Sequence, residues 1–259
     1  MKKILIIPTY NCEQQIDRLL LRSKTTISRE FQELLIIDNG SSDKTVENAI
    51  NGIKSYGTRA KVLQNCENIG LGGTLKTGFL YAKNNSFDFV AVLHGDDQAS
   101  LEDLLPVFGT LEDGTIDLAI GARFHKESDL IGYSIFRKIG NRLLNLYCII
   151  CTRTKIDDLI AGLNVFRISK LNMDEILNYP NDLTFDVHIL LRAIHQKQHV
   201  LFFPITWTEE DQVSNAKVIK QAMTILALFT KYFFAKEKAL NFDDSEFSYL
   251  NYNILYEKN

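Results

Sequence analysis

The 259-residue sequence predicts an α/β fold: a Rossmann-like, mostly parallel central sheet with helices on both faces and a helical extension at the C-terminus. Three observations predict it. Residues 4–7, 34–37 and 89–93 are continuous apolar runs, as expected of strands buried on both faces of a parallel sheet. Segments of helical character separate them, so residues 1–98 read β-α-β-α-β-α-β. Each strand-to-helix connection is polar, and right-handed crossovers bring such connections to one edge of the sheet.

The elements follow in order. The run 4–7 is halted by Pro8, and a helix extends to about residue 28. The strand 34–37 ends in the turn cluster Asp38-Asn39-Gly40-Ser41-Ser42-Asp43, where Ser42 or Asp43 is placed to cap the next helix, to about residue 55. A short strand at 61–63 precedes a loop, 65–73, and a helix through 83. The strand 89–93 ends in His94-Gly95-Asp96-Asp97-Gln98. Beyond it, helices are expected over 101–111, 135–151, 183–196 and 218–236, and strands over 117–123, 156–158, 164–167 and 199–207. The tail 237–259, with aromatics among acids and Asn, is expected to pack against this domain or a partner subunit. A boundary near 216/217 separates the α/β domain, 1–216, from the extension, 217–259.

A net charge of −3 excludes a general nucleic-acid binder. Four cysteines in a chain of this length make no disulfide framework. Cys148-Ile-Ile-Cys151 lies in the apolar part of a helix and reads as a packed, reduced pair. The apolar run behind Met1 is too short for a signal peptide and no 18-residue apolar window exists, so a cytoplasmic protein is expected. The helix 218–236, with Leu226, Leu228, Phe229, Phe233 and Phe234 beside Lys217, Lys220, Lys231 and Lys236, suits packing on the domain, a homodimer seam or peripheral contact at the inner face of the cell membrane.

The candidate chemistry sits at the strand ends. His94, Asp96 and Gln98 offer hard donors at alternate positions, which suits Mg²⁺ or Mn²⁺ and a phosphate-bearing ligand; the alternative is a solvated acidic turn. Asp38 is placed to accept bonds from a ribose or a base, or simply to close a turn. Asn68-Ile69-Gly70-Leu71-Gly72-Gly73 opens a helix, where glycines let backbone N–H groups approach an anion; the pattern comes too late in the chain for a dinucleotide fingerprint. Asp186 is a candidate base and His188 its neighbour near a helix start. Arg123, Arg137, Lys217 and Lys220 are candidate partners for phosphate groups.

Taken together, IPTYN (7–11), IIDNGSSDKT (36–45), NIGLGGTLKTG (68–78), LHGDDQ (93–98), GAR (121–123) and FDVHILLRA (185–193) resemble the family 2 glycosyltransferases, in particular the dolichyl- and polyprenyl-phosphate sugar synthases, over about residues 3–217. The resemblance implies a GT-A fold, a nucleoside-diphosphate sugar donor, a divalent metal and inversion at the anomeric carbon. It places Pro8, Thr9, Asn11, Asp38, Gly40, Asn68, Gly70, Gly72, Lys76 and Asp96 on the donor. It gives Asp186 and Arg123 to catalysis, and Arg137, Asp158, Asn164, His188, Ser214 and Lys217 to the acceptor side. The family's Asp-x-Asp-x-Gln metal motif reads His94-x-Asp96-x-Gln98 here, which favours Mn²⁺ over Mg²⁺, and Cys12 replaces a family glutamate. The loop 209–217 lacks the family's Arg-x-x-Gly spacing. The function implied is sugar transfer to a polyprenyl phosphate or a glycan hydroxyl, in cell-surface polysaccharide or glycolipid synthesis. A non-catalytic nucleotide-sugar-binding protein with a degenerate metal site is the alternative. A nucleotidyltransferase ranks below both, because PTYN replaces the Gly-rich loop that would follow its first strand.

Overall fold

The computed structural model describes residues 1–159, 161–211, 218–242 and 251–258. The first half alternates as expected: β1 (Lys3–Thr9), α1 (Glu13–Glu30), β2 (Glu33–Asp38), α2 (Thr45–Ile53), β3 (Arg59–Asn65), α3 (Gly70–Asn84) and β4 (Phe89–Leu93). Then come α4 (Leu105–Glu112), β5 (Leu118–Ala122), β6 (Asp129–Ile131), α5 (Ile135–Thr152), β7 (Leu163–Arg167), α6 (Met173–Leu177) and α7 (Phe185–His195). The chain continues through β8 (Val200–Pro204), β9 (Thr206–Thr208), α8 (Val218–Phe234), α9 (Lys236–Leu240) and β10 (Tyr252–Lys258).

Eight strands form the main sheet in the order β10-β3-β2-β1-β4-β7-β5-β8. The pairs β3–β2, β2–β1, β1–β4 and β5–β8 are parallel, and β7 runs antiparallel between β4 and β5. Side chains alternate between two cores. Leu5, Ile7, Leu34, Ile36, Ala91 and Leu93 face the side packed by α1, whereas Ile4, Ile6, Leu35, Ile37, Val90 and Val92 face α3 and α7. Both faces are therefore covered, which is why these strands lack a polar alternation.

Three expectations are corrected. Residues 156–158 form no strand. The Asp158 carboxylate instead accepts from the Arg123 and Leu159 backbone amides, and such local bonds compete with a ladder. The single strand expected over 199–207 is broken at Ile205: Pro204 offers no amide, Ile205 donates to Ser128 Oγ, and β9 leaves the main sheet to pair with β6. Nor does α2 start on a side-chain cap: its N-cap is Lys44, and Asp43 binds the amide and hydroxyl of Thr45 instead.

The C-terminal stretch returns to the body of the molecule. Strand β10 adds antiparallel to the outer edge of β3. Ile225, Leu228, Phe229 and Tyr232 of α8 share a core with Cys148 and Cys151 of α5 and with Val187, Leu190 and Leu191 of α7. Phe242 packs edge-on against His188 and Tyr179. The C-x-x-C pair is buried, and burial pushes the Cys148 thiol far up, as expected of inert core sulfur.

Candidate active site

Strand order locates the site. From β1 the chain steps outward to β2 and β3, then returns to place β4 on the other side of β1. The C-terminal edge between β1 and β4 is therefore a topological switch point, where open α/β sheets bind ligands. The loops after β1, β2 and β4 all open there. Gly95 donates to Pro8 O at 3.0 Å. A Cβ on Gly95 would lie 2.6 Å from Thr9 Cγ2 and 3.4 Å from Cys12 Sγ, so only glycine lets the two loops approach this closely.

On the β2 side, Asp38 is buried and its carboxylate gathers the loop: it accepts from the Gly40 and Ser41 amides at 3.1 and 2.9 Å, from the Ser41 hydroxyl, and from Gln64 Nε2 at 3.0 Å. Thr9 Oγ1 lies 3.5 Å from Asp38 Oδ1. Asn11, at φ 47°, stitches the first two loops, donating its amide to Ser41 Oγ and accepting Ser42 N–H, both at 2.9 Å. Pro8, Thr9, Asn11, Asp38 and Gly40 thus form one polar rim. Asp38 ends β2 and Asp96 lies in the loop that follows β4, the two strands that flank β1, at the same edge of the sheet.

On the β4 side, the β4–β7 ladder continues past Leu93↔Leu163, with His94 donating to Gly162 O at 2.8 Å. The His94 ring lies over Gly162, whose absent Cβ would meet it at 2.9–3.0 Å. Asn164, opposite Val92, is then a diagonal neighbour of His94 on the face covered by α7. Its Nδ2 donates to Ala161 O at 2.9 Å and to Asp186 Oδ2 at 3.4 Å. Three buried polar atoms here have no hydrogen-bond partner among the described residues: His94 Nε2, Asn164 Oδ1 and Asp186 Oδ1. Buried polar groups are normally paired, so unsatisfied groups of this kind mark a place for a ligand. Burial pushes the His94 imidazole down, opposed by Asp96, and pushes the Asp96 carboxyl up, opposed by His94. Burial alone raises Asp186 from an ordinary 3.8 to about 7.

The metal donors are therefore few. Among the described residues no three His, Cys, Asp or Glu side chains converge on a metal-sized point. Asp97 is turned away at φ 59°, toward Arg18 Nε at 3.1 Å and Arg22 Nη2 at 2.9 Å. The orphaned His94 nitrogen beside Asp96, with Gln98 following, still fits an ion that takes one or two protein ligands and completes its shell from phosphates. Imidazole in the set suits Mn²⁺.

Several expected ligand contacts are made by the chain to itself. The Gly72 and Gly73 amides at the start of α3 donate to Asn181 O at 2.8 and 3.3 Å. A Cβ on Gly70 or Gly72 would sit 2.2 Å from Asn181 O or 2.4 Å from Pro180 O. These glycines admit the 180–181 backbone rather than an anion. Asn68 Oδ1 accepts from Asn39 Nδ2 and the Gly70 amide. Lys76 is buried, with Nζ on Tyr179 O and 2.7 Å from Asn181 Oδ1. Arg123 forms a two-pronged ion pair with Asp158 at 2.8 and 2.9 Å, walled by Phe124, Tyr133 and Trp207. Arg137 holds Glu209 at 2.6 Å. His188 is a core side chain on Thr184 O, and burial drops it to about 4. Ser214 and Lys217 lie outside the described residues. Sequence reasoning missed Gly95, Gly162, Asn39, Asn181 and the Arg18–Arg22 pair; their roles are set by contacts between distant segments and leave no local pattern.

A model of glycosyl transferase family 2 matches residues 4–172. The chain is 28% identical to the dolichyl-phosphate beta-glucosyltransferase of Drosophila melanogaster, over 80% of this chain and 67% of that protein. It is 24% identical to the polyprenol monophosphomannose synthase of Mycolicibacterium smegmatis, over 81% of this chain and 78% of that one. Among solved structures, mannosyl-3-phosphoglycerate synthase from Rubrobacter xylanophilus superposes with a TM-score of 0.64 at 13% identity, covering 92% of this chain and 75% of that one. Glucosyl-3-phosphoglycerate synthase from Mycobacterium tuberculosis, in complex with Mn²⁺, UDP and phosphoglyceric acid, gives 0.60 at 14% identity, over 94% and 80%. The fold is of the GT-A type.

Proposed function

Because the chain belongs to glycosyl transferase family 2, we propose that it moves a sugar, with inversion, from a nucleoside-diphosphate sugar to a polyprenyl phosphate. The observation that carries this is the switch-point edge of the sheet, with the Asp38 rim on one side and, on the other, atoms of His94, Asn164 and Asp186 that have no partner among the described residues. The relatives named for dolichyl and polyprenol phosphates support the acceptor class. The Asp38 loop and Asn11 are placed to hold the nucleoside. His94 and Asp96, with Gln98, would hold a divalent ion, which supplies charge neutralisation for the departing diphosphate. An acceptor phosphate is already an anion at neutral pH, so attack on the anomeric carbon needs no strong base.

A second reading, transfer to a glycan hydroxyl, is favoured by one feature: Asp186, raised to about 7 with an oxygen that has no partner among the described residues, has the character of a general base. Incubating the protein and Mn²⁺ with a panel of nucleotide-sugars, each with a polyprenyl phosphate or a glycan, separates the two. The expected product is a polyprenyl-phosphate sugar. Nucleoside-diphosphate binding without turnover of any donor would leave only a nucleotide-sugar-binding protein and overturn both readings. A role in cell-surface polysaccharide or glycolipid synthesis is the setting we propose for such a product.

A further inference from the structure

Two arginines beside the site are held in different ways. Arg123 is 9% exposed and its N–H groups are occupied: Nε and Nη2 by Asp158 at 2.8 and 2.9 Å, Nη1 by the Tyr133 hydroxyl at 3.4 Å. Arg137 is 40% exposed and, among the described residues, bonds through Nη1 alone, to Glu209 Oε1 at 2.6 Å. Its guanidinium lies over the Tyr133 ring, 4.8 Å from the centroid. That ring is buried, and its hydroxyl accepts from Asn141 Nδ2 at 2.6 Å, so the floor beneath Arg137 is rigid. A guanidinium carries five N–H donors in a fixed fork, and a single-pronged contact uses one of them.

Glu209 is pinned at its backbone. Its amide donates to Ile131 O at 2.9 Å, and a Cβ on Gly132 would lie 2.3 Å from its carbonyl oxygen. The residue before it, Thr208, donates to Gln98 O at 2.8 Å, which sets Glu209 beside the loop that bears Asp96. The Glu209 side chain is drawn two ways. Arg137 and, at 3.3 Å, Trp207 Nε1 hold its Oε1. Asp96 repels it: after burial, the like charge of Glu209 is a further cause that pushes the Asp96 carboxyl up. A part-exposed, single-pronged ion pair facing a like charge is a weak hold.

We propose that the Glu209 carboxylate is a placeholder on Arg137: it fills the position that the phosphate of an acceptor takes, and it rotates away when a phosphate monoester arrives. The monoester carries close to two charges and three acceptor oxygens, so it grips two prongs of the guanidinium where Glu209 grips one. The exchange needs a side-chain rotation and no movement of the β6–β9 backbone. Because Glu209 competes with acceptor and product alike, it keeps the sugar-bearing product from staying bound after transfer. The identity of the anion rests on the transfer reading; the exchange itself is measured without a donor.

Calorimetric titration of the full chain with geranyl phosphate, and with geraniol as the uncharged control, tests the placeholder. Glu209→Gln should bind geranyl phosphate about two- to fivefold tighter than wild type, the factor that freeing Arg137 from an exposed ion pair supplies. Glu209→Asp, one methylene shorter, should tighten binding part of the way. Arg137→Ala should bind weakly and erase the gain from Glu209→Gln, as expected of two residues that act on each other. Glu210→Gln, which removes an exposed acid of the same sign next door, should leave the affinity nearly unchanged. In transfer assays Glu209→Gln should lower the KM for a polyprenyl phosphate without raising kcat. Equal or weaker binding in both Glu209 variants would mean that the carboxylate orients Arg137 rather than occupying it, and overturns the proposal. So does equal tightening in Glu210→Gln, equal tightening toward geraniol, or no binding of geranyl phosphate by any form. If binding follows the expected pattern while no nucleotide-sugar supports transfer, the placeholder stands and the sugar-transfer reading falls.

Discussion

At the scale of single residues, Asp186 is the group whose behaviour is most exposed to measurement. Its carboxyl titrates near 7 in the folded chain against 3.8 ordinarily, with burial as the cause. A folded-state value above the unfolded one means that stability is fully present below about pH 4, declines as pH rises toward 7, and is flat above, at about 1.4 kcal/mol per unit of difference. Asp186→Asn removes the buried charge, so the variant should match wild type near pH 4 and melt higher at pH 8. The same substitution should cut transfer to a hydroxyl acceptor by roughly 10²–10⁴-fold, yet change transfer to a phosphate acceptor little. Equal losses with both acceptors would remove Asp186 from the role of base. Gly162 offers a second test. An alanine Cβ would press on the His94 ring at 2.9–3.0 Å. Gly162→Ala should therefore displace that ring, cost about 1–3 kcal/mol in a denaturant melt, and weaken Mn²⁺-dependent nucleotide binding in calorimetry. Asp186 was legible as a carboxylate in the first turn of a helix. Gly162 was not, because nothing in its neighbours in sequence reveals that a histidine from another strand rests on it.

Among the elements, α3 shows how a correct assignment of structure can carry the wrong reason. The glycines that open the helix were legible as a place of close backbone approach, and close approach is what they provide. The approaching group is Pro180–Asn181 of this same chain, more than a hundred residues on, and no local pattern distinguishes that from a phosphate. Lys76 belongs to this contact. Replacing it with methionine keeps much of the volume but strands Tyr179 O and Asn181 Oδ1 without their donor. Lys76→Met should lower stability by about 2–4 kcal/mol, read by denaturant unfolding, while leaving the affinity of the folded protein for a nucleoside diphosphate nearly unchanged. A selective loss of nucleotide affinity at unchanged stability would restore Lys76 to the donor site. Elsewhere, strands buried on both faces announced themselves as apolar runs. Strand β10 did not: it is an edge strand whose Ile254 and Leu255 are exposed, so its sequence carries little of the burial that makes a strand readable.

For the molecule as a whole, the convergence of the β1, β2 and β4 loops was foreseeable from β-α alternation and crossover handedness. The way its two halves are joined was not. Arg18 on α1 makes that join: Nη1 and Nη2 each lie 2.8 Å from the Asp211 carboxylate, and Nε lies 3.1 Å from Asp97. One guanidinium thereby ties the strand-end loop that bears Asp96 to the segment that follows β9. The backbones meet as well, Thr208 donating to Gln98 O at 2.8 Å. Arg18 is 41% exposed, so its ion pairs contribute modestly to global stability. Its removal should be felt as lost order around Asp96 rather than as unfolding. Arg18→Ala is expected to shift the melting temperature by no more than a few degrees while lowering sugar transfer at least about tenfold, and Arg18→Lys, which cannot grip Asp211 with two parallel bonds, should recover only part of it. High salt should reproduce the defect in wild type and leave Arg18→Ala insensitive, because exposed charge pairs are screened whereas the backbone contact at Thr208 is not. Unaltered transfer in Arg18→Ala would mean that the backbone pairing of residues 98 and 208 alone sets the geometry of the crevice.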